Sequence, residues 1–239
     1  VVNSPLEKMR SIVRQDAFKP IGHRGKVHAL PPIHIMNSKQ ISTPSGKNYA
    51  TPLFLPVFQY QNRFVDMEAL KTEFQTQGII TNAFLLYKNR EFRSLLKERK
   101  IQNFLGFDGL IATDSGAFQQ FSGTVYLSNS TIIEFQQEIG ADLISPLDVI
   151  TTRGDNRTTA SEKWKVTLKR IRQGMPIANR STLIGVQQGG RFMDLRKQSL
   201  EDLLELGSKY VALGGLVPFF NKNHNIEFYE ERSPTSLQE

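Results

Sequence analysis

An α/β protein built on a parallel sheet is the fold class this sequence predicts, and three observations carry it. Short apolar runs recur along the chain without the alternation of a half-exposed strand. Amphipathic helical patterns fall between them, and polar, glycine-rich clusters follow the runs at equivalent positions. Runs of this length suit parallel strands covered on both faces. Repeated strand–helix units give either a barrel or a doubly wound sheet.

The apolar runs span 53–58, 78–81, 109–113, 141–145, 183–186 and 210–213. Between them, Ser130 precedes Ile132, Ile133 and Phe135, with Gly140 where a C-terminal cap glycine belongs. Residues 160–172 place Trp164, Leu168 and Ile171 on one helical face. Lys163, Lys165, Lys169, Arg170 and Arg172 occupy much of the remainder. Residues 194–206 carry Leu195, Leu200, Leu203 and Leu204 on one stripe, and Gly207 ends the pattern. Residues 1–50 are unlike the rest: a basic, proline-containing stretch with His23, Arg24, Lys26, Pro31 and Pro32 leads to a hairpin expected around Ser45-Gly46. We read them as a lead-in segment that wraps or caps the core, with 51–239 forming the α/β domain. No Gly-x-Gly-x-x-Gly follows the first strand, which weakens the dinucleotide-binding version of the fold. About six strand–helix units are present where a closed barrel has eight.

The chain has 239 residues, 39% hydrophobic, 22% charged and 10% aromatic, enough to bury a core and to exclude a disordered or fibrous protein. The absence of cysteine excludes a disulfide scaffold, a thiolate nucleophile and any Cys-ligated metal within this chain. His23, His28, His34 and His224 show no metal-ligand spacing and read as surface or loop residues. No run approaches the length of a membrane span, and the first ten residues lack the apolar core of a signal peptide, so the expected setting is cytoplasmic. Thirty Lys and Arg against 23 Asp and Glu give +7, a balance that favours a polyanionic partner. The candidate nucleic-acid contacts are Arg153, Arg157, Lys163, Lys165, Lys169 and Arg170, whose alternative reading is a solvated helix face.

In parallel α/β folds, sites are built from the loops at the carboxyl ends of the strands. Four polar clusters fall there: Asp114-Ser115-Gly116-Ala117-Phe118-Gln119, Pro146-Leu147-Asp148, Gln187-Gln188-Gly189-Gly190 and Gly214-Gly215-Leu216. Taken singly, each has a structural reading. Asp114 suits a helix cap, Pro146 a turn, Phe118 a core position, and the glycines close packing. Asp194 and Arg196 open a helix and are assigned structure first. Together the clusters suggest a site. Two carboxylates match a ligand presenting several N–H donors, an amide serves a carbonyl or ring nitrogen, and Phe118 is suited to stacking on an aromatic face. Guanine fits this set, as do other heterocycles.

These residues resemble the tRNA-guanine transglycosylases. Thr113-Asp-Ser-Gly-Ala-Phe-Gln119, Gly185-Val-Gln-Gln-Gly-Gly190 with Asp194-Leu-Arg196, and Ala212-Leu-Gly-Gly-Leu-Val-Pro218 carry the likeness, with Thr51-Pro-Leu-Phe-Leu-Pro-Val57 and Thr81-Asn82. Val217-Pro218 and Pro146-Leu-Asp148 look closer to the archaeosine-type branch than to the bacterial queuosine type. The resemblance implies a TIM (β/α)8-type barrel, incomplete here, and exchange of a guanine in tRNA for a 7-deazaguanine base. It implies that Asp114 is catalytic, holding the base near its glycosidic edge and assisting proton handling. By the same likeness Asp148 reads the N1 and amine edge, Gln188 and the Gly215 backbone meet O6 with Leu216 beside them, and Phe118 stacks. The family also uses a second, nucleophilic aspartate and a zinc held by three Cys and one His, both further downstream. Residues 221–239 contain no aspartate, and no cofactor site is expected in this chain. The expectation is therefore a subunit whose partner polypeptide completes the barrel and supplies the nucleophile and the zinc. The alternatives are a non-catalytic base- or RNA-binding subunit, a relative acting on DNA, or a truncated copy.

Overall fold

The computed structural model describes residues 40–60, 66–121 and 126–219. Most of the lead-in segment, the four histidines and residues 221–239 lie outside them. The described residues belong to one compact unit.

The first element is the expected hairpin, β1 (Gln40–Ser42) paired antiparallel with β2 (Asn48–Ala50). Gly46 turns it at φ +85°, a conformation glycine adopts without a Cβ penalty. The chain then runs through 53–58, expected as a full strand. It forms instead a single parallel bridge, Val57 to Ile80, with Phe58 N–H donating to Ile80 O and Ile80 N–H to Pro56 O. Pro52 and Pro56 lack the N–H groups a longer ladder needs, which accounts for the shortened pairing.

Next come α1 (Met67–Thr72), β3 (Gly78–Asn82), α2 (Ala83–Lys88), α3 (Arg90–Arg99), α4 (Ile101–Leu105) and β4 (Leu110–Asp114). They are followed by α5 (Ala117–Phe121), α6 (Asn129–Glu138), β5 (Leu143–Ile144), α7 (Arg157–Gly174), β6 (Thr182–Leu183) and β7 (Gly185–Gln187). The last elements are α8 (Met193–Glu205), β8 (Val211–Leu213) and a 3-10 turn, Val217–Phe219. The strands pair in parallel and in chain order, β3-β4-β5-β6 and β7-β8. The run 183–186, expected as one strand, divides because its pairing changes partner. Ile184 N–H donates to Ile144 O, and one residue later Gly185 N–H donates to Tyr210 O. Among the described residues the order does not reverse, as it would in a doubly wound sheet.

Alternation sorts the strand side chains onto two faces. Ile79, Ile111, Ile144 and Leu183 pack with the helices in the main core. Ile80, Leu110, Ala112, Leu143 and Ile184 form a second cluster, closed at the amino ends of the strands by Ile41, Tyr49, Leu53 and Leu55. The hairpin is pinned there: Lys47 Nζ donates to Asp108 O at 2.8 Å, and Ser42 N–H to the Tyr210 hydroxyl at 2.8 Å. The carboxyl end of this inner face is left open.

The helices begin slightly earlier than the sequence suggests. The cap of α6 is Ser128, whose hydroxyl accepts from Thr131 N–H, so Ser130 lies inside the first turn. Asn156 caps α7 by accepting from Thr159 N–H. Trp164 and Ile171 are buried as expected, and Trp164 Nε1 donates to Asp202 at 2.8 Å, joining α7 to α8. On α8 the expected stripe splits. Leu195 and Leu203 are buried, while Leu200 and Leu204 are exposed. Exposed apolar residues collect at both lateral edges of the sheet, with Phe54 and Val57 on one side and Leu213 and Val217 on the other.

Candidate active site

The open end of the inner face is a cavity of about 480 Å³. Its floor is Ile80, Ala112, Val186 and Ala212, from β3, β4, β7 and β8, with Ile184 between β6 and β7, and its rim includes Asp114, Phe118, Asp148 and Gly215. Four of the six residues named from sequence as catalytic or substrate-binding therefore line one concavity. Leu216 opens the 3-10 turn whose Val217 and Pro218 also line it.

Asp114 ends β4 opposite Asn82 at the end of β3. Asn82 is buried and makes three side-chain hydrogen bonds: its Oδ1 accepts from Leu85 N–H to cap α2, and its Nδ2 donates to Asp114 Oδ2 at 3.2 Å and to Gln119 Oε1 at 3.1 Å. Gly116 N–H donates to Asp114 Oδ1 at 3.1 Å. Gly116 has φ +78°, and a Cβ there would stand 2.2 Å from Phe84 Cβ, so the tight turn under Asp114 requires glycine. Burial raises the Asp114 carboxyl above its ordinary range, against the lowering effect of the Gly116 and Asn82 hydrogen bonds. Phe118, on α5, is 69% exposed and stands on the rim without a described stacking partner, available as a flat wall.

Asp148 follows β5 on a loop clamped from several sides. Asn129 Oδ1 accepts from Leu147 N–H at 2.9 Å, Arg170 Nη1 donates to Leu147 O at 2.8 Å, and Val149 N–H donates to Thr167 Oγ1 at 2.8 Å. Burial, reinforced by the nearby Asp114 charge, pushes the Asp148 carboxyl up to about 6. The two acids thus share a partly dehydrated space in which ionising both is costly.

Gln188 is the residue expected to meet O6 of the base. It is fully buried and lies behind the wall, its Nε2 donating to Asp148 Oδ2 at 2.5 Å and its Oε1 accepting from Thr151 Oγ1 at 3.2 Å. With both ends of the amide engaged, it orients Asp148 and does not reach into the cavity. A Cβ on Gly215, which has φ +65°, would stand 2.5 Å from Gln188 Oε1, so glycine there keeps the amide and the loop in contact.

The six basic residues named from sequence differ in their partners. Arg157 pairs with Asp194 at the start of α8, which holds that carboxyl below its usual range, and Lys163 pairs with Asp155 at 2.6 Å. Arg170 is the half-buried clamp on Leu147 O. Lys165 and Lys169 point to solvent on α7, and Arg153 is exposed on the preceding loop. Sequence reasoning missed the supporting set Asn129, Gln136 and Thr151. Gln136 is fully buried, accepts from Thr113 Oγ1 at 2.8 Å and donates to Ser145 O at 2.8 Å, tying β4 to β5 just beneath the site. A polar residue inside an apolar helical stripe was the available signal.

A chain-ordered parallel sheet whose carboxyl ends surround two desolvated carboxylates and a flat aromatic rim defines a ligand-binding or catalytic α/β protein. The chain belongs to the tRNA-guanine transglycosylase family: the queuine tRNA-ribosyltransferase family model matches residues 37–232. Among its relatives, the tRNA-guanine(15) transglycosylase of Nanoarchaeum equitans is 37% identical over 179 residues, covering 74% of this chain and 42% of that protein. Those of Haloarcula marismortui and Methanopyrus kandleri are 33% and 34% identical, covering 74% and 77% of this chain and 37% and 40% of the relatives. The chain spans about two fifths of the length of these relatives. A zinc site of three Cys and one His does not fit the residues present, since the chain has no cysteine. Among the described residues no helix is long and apolar enough to cross a membrane.

Proposed function

We propose that this chain is the base-recognition part of a tRNA-guanine transglycosylase, exchanging guanine in tRNA for a 7-deazaguanine base in archaeosine- or queuosine-type modification. The observation that carries the reading is the meeting of Asp114, Phe118, Asp148 and Gly215 around one cavity, although they are spread over about a hundred residues.

In this reading the ring lies against Phe118, and Asp148 accepts from N1–H and the exocyclic amine. A carboxylate has lone pairs for both after Gln188 has taken one. The Gly215 N–H meets O6. Asp114 faces the glycosidic edge, where a carboxyl of raised proton affinity can hold a proton near a departing base. The carboxylates lining the cavity, among the described residues, are Asp114 and Asp148, and both are assigned to the base. In this reading the nucleophile for the ribose carbon comes from outside the described residues, on a partner polypeptide that also carries the zinc and closes the sheet into a (β/α)8 barrel. Phe54 and Val57 at one edge and Leu213 and Val217 at the other are the apolar surface it covers. The same lining favours a second reading, in which this chain binds the base or RNA and the chemistry belongs wholly to its partner.

Incorporation of labelled guanine into tRNA, by the chain alone and with its copurifying polypeptide, tests the proposal. Exchange is expected with the polypeptide and is expected to vanish in Asp114→Asn, which keeps the volume and removes the charge. Full exchange in that variant removes Asp114 from its role, and exchange into duplex DNA but not tRNA redirects the substrate.

A further inference from the structure

The loop after β8 is held from behind by an arginine that the base-binding scheme leaves unused. Arg196, in the first turn of α8, is 3% exposed. Its guanidinium donates to the Gly214 carbonyl through both Nη1, at 3.2 Å, and Nη2, at 2.9 Å. Gln187 ties the same parts together: its backbone carbonyl accepts from Gly214 N–H at 2.9 Å, and its Nε2 donates to Arg196 O at 2.8 Å. A Cβ on Gly214 would stand 2.7 Å from Gln187 O and 2.7 Å from Val186 Cγ1, so strand and loop are in close contact.

The Gly214–Gly215 peptide is trans, and a trans peptide points its C=O and N–H in opposite directions. With the carbonyl drawn toward α8, the Gly215 N–H is turned the other way, to the side of the cavity that Gly215 lines. Among the described residues, no acceptor meets that N–H. A guanidinium on the carbonyl also polarises the peptide and strengthens its N–H as a donor.

We propose that Arg196 is a positioning residue that fixes this peptide so that its N–H faces a carbonyl oxygen of the bound ring. It thereby sets a preference for a 6-oxo purine over one lacking that oxygen. The inference rests on the base-site reading above.

Guanine and 2-aminopurine, which lacks both the 6-oxygen and the N1 proton, are compared in wild type and variant, and the change in their ratio on altering Arg196 reports the 6-oxygen contact. The wild-type complex is expected to bind guanine more tightly. Arg196→Lys, which replaces a two-point fork with a single donor, is expected to lose about tenfold in guanine affinity, the usual scale for a hydrogen bond to a buried carbonyl. Its 2-aminopurine affinity should stay unchanged, so the ratio narrows about tenfold, and the preference that remains is the N1–H contact with Asp148. Equal losses for both ligands, or a preserved ratio, overturn the role of Arg196 while leaving the base site standing. No preference in the wild type overturns the site reading and this inference with it. Arg196→Gln is measured alongside. Should neither variant fold, the wild-type Gly215 amide resonance decides: it shifts with guanine and not with 2-aminopurine, and an equal response to both overturns the proposal.

Discussion

Asp148→Asn is expected to stabilise the fold while it damages the site. The Asp148 carboxyl stands at about 6 in the folded protein against 3.8 for the free side chain, chiefly through burial and next through the Asp114 charge. At about 1.36 kcal/mol per tenfold change in proton affinity, this displacement corresponds to about 3 kcal/mol once the pH is well above both values. That figure is a ceiling, because relaxation and water entry reduce the cost. Between about pH 4 and 6 the native state keeps a proton that the unfolded chain has released, so stability falls as the pH rises through that window. Asparagine imitates the neutral acid, and its carbonyl can accept the Gln188 amide proton as Asp148 Oδ2 does. The stability gap between variant and parent is therefore expected to be near zero at about pH 4 and to approach its ceiling at about pH 7.5. Urea unfolding across that range reads it directly, with a tryptophan signal from Trp164 in the core. A variant less stable than its parent at neutral pH, or a gap that does not close in acid, would refute the claim that Asp148 is held ionised against its surroundings.

Gly215→Ala places a Cβ against Gln188 Oε1 and Thr151 Oγ1 at a left-handed φ, so guanine affinity measured by calorimetry should drop at least about tenfold. Gln136→Leu strands the Ser145 backbone N–H and C=O and leaves Thr113 Oγ1 only its longer bond to Leu143 O, and thermal unfolding should show a loss of about 3 kcal/mol. Charge reversal at Lys165 and Lys169 should flatten the dependence of tRNA affinity on salt by about one unit of logarithmic slope per lost phosphate contact. An unchanged slope would remove this face of α7 from the RNA interface.

The alternation of runs and helices was legible because each strand is short, apolar and enclosed, and local composition suffices to mark it. The failures lie where a local pattern meets a distant constraint. The run 53–58 is apolar enough for a strand, yet its prolines leave too few donors for more than one bridge. The run 183–186 is continuous in sequence but divided in pairing, since Ile144 and Tyr210 each claim part of it. The leucines of α8 share a periodicity, but Leu200 and Leu204 face a side that no described element covers.

The site divides in the same way. Its two acids, its aromatic and its glycines stand in motifs and could be named. How they are aimed could not be read, even where the aiming residue itself stood in a motif, because the partners are remote: Asn82 and Asp114 are 32 positions apart, Thr151 and Gln188 37, and Gln188 and Asp148 40. The family likeness assigns Gln188 to O6 of the base. The side chain is drawn behind the wall because a carboxylate desolvated by its surroundings needs a donor more than the solvent-facing space does. Arg170 repeats the logic. Counted as one more positive charge on a solvated helix, it turns inward, where Leu147 O offers a partner and Asp148 a compensating charge. A buried acid pair therefore recruits its polar support from whichever elements the fold brings beneath it.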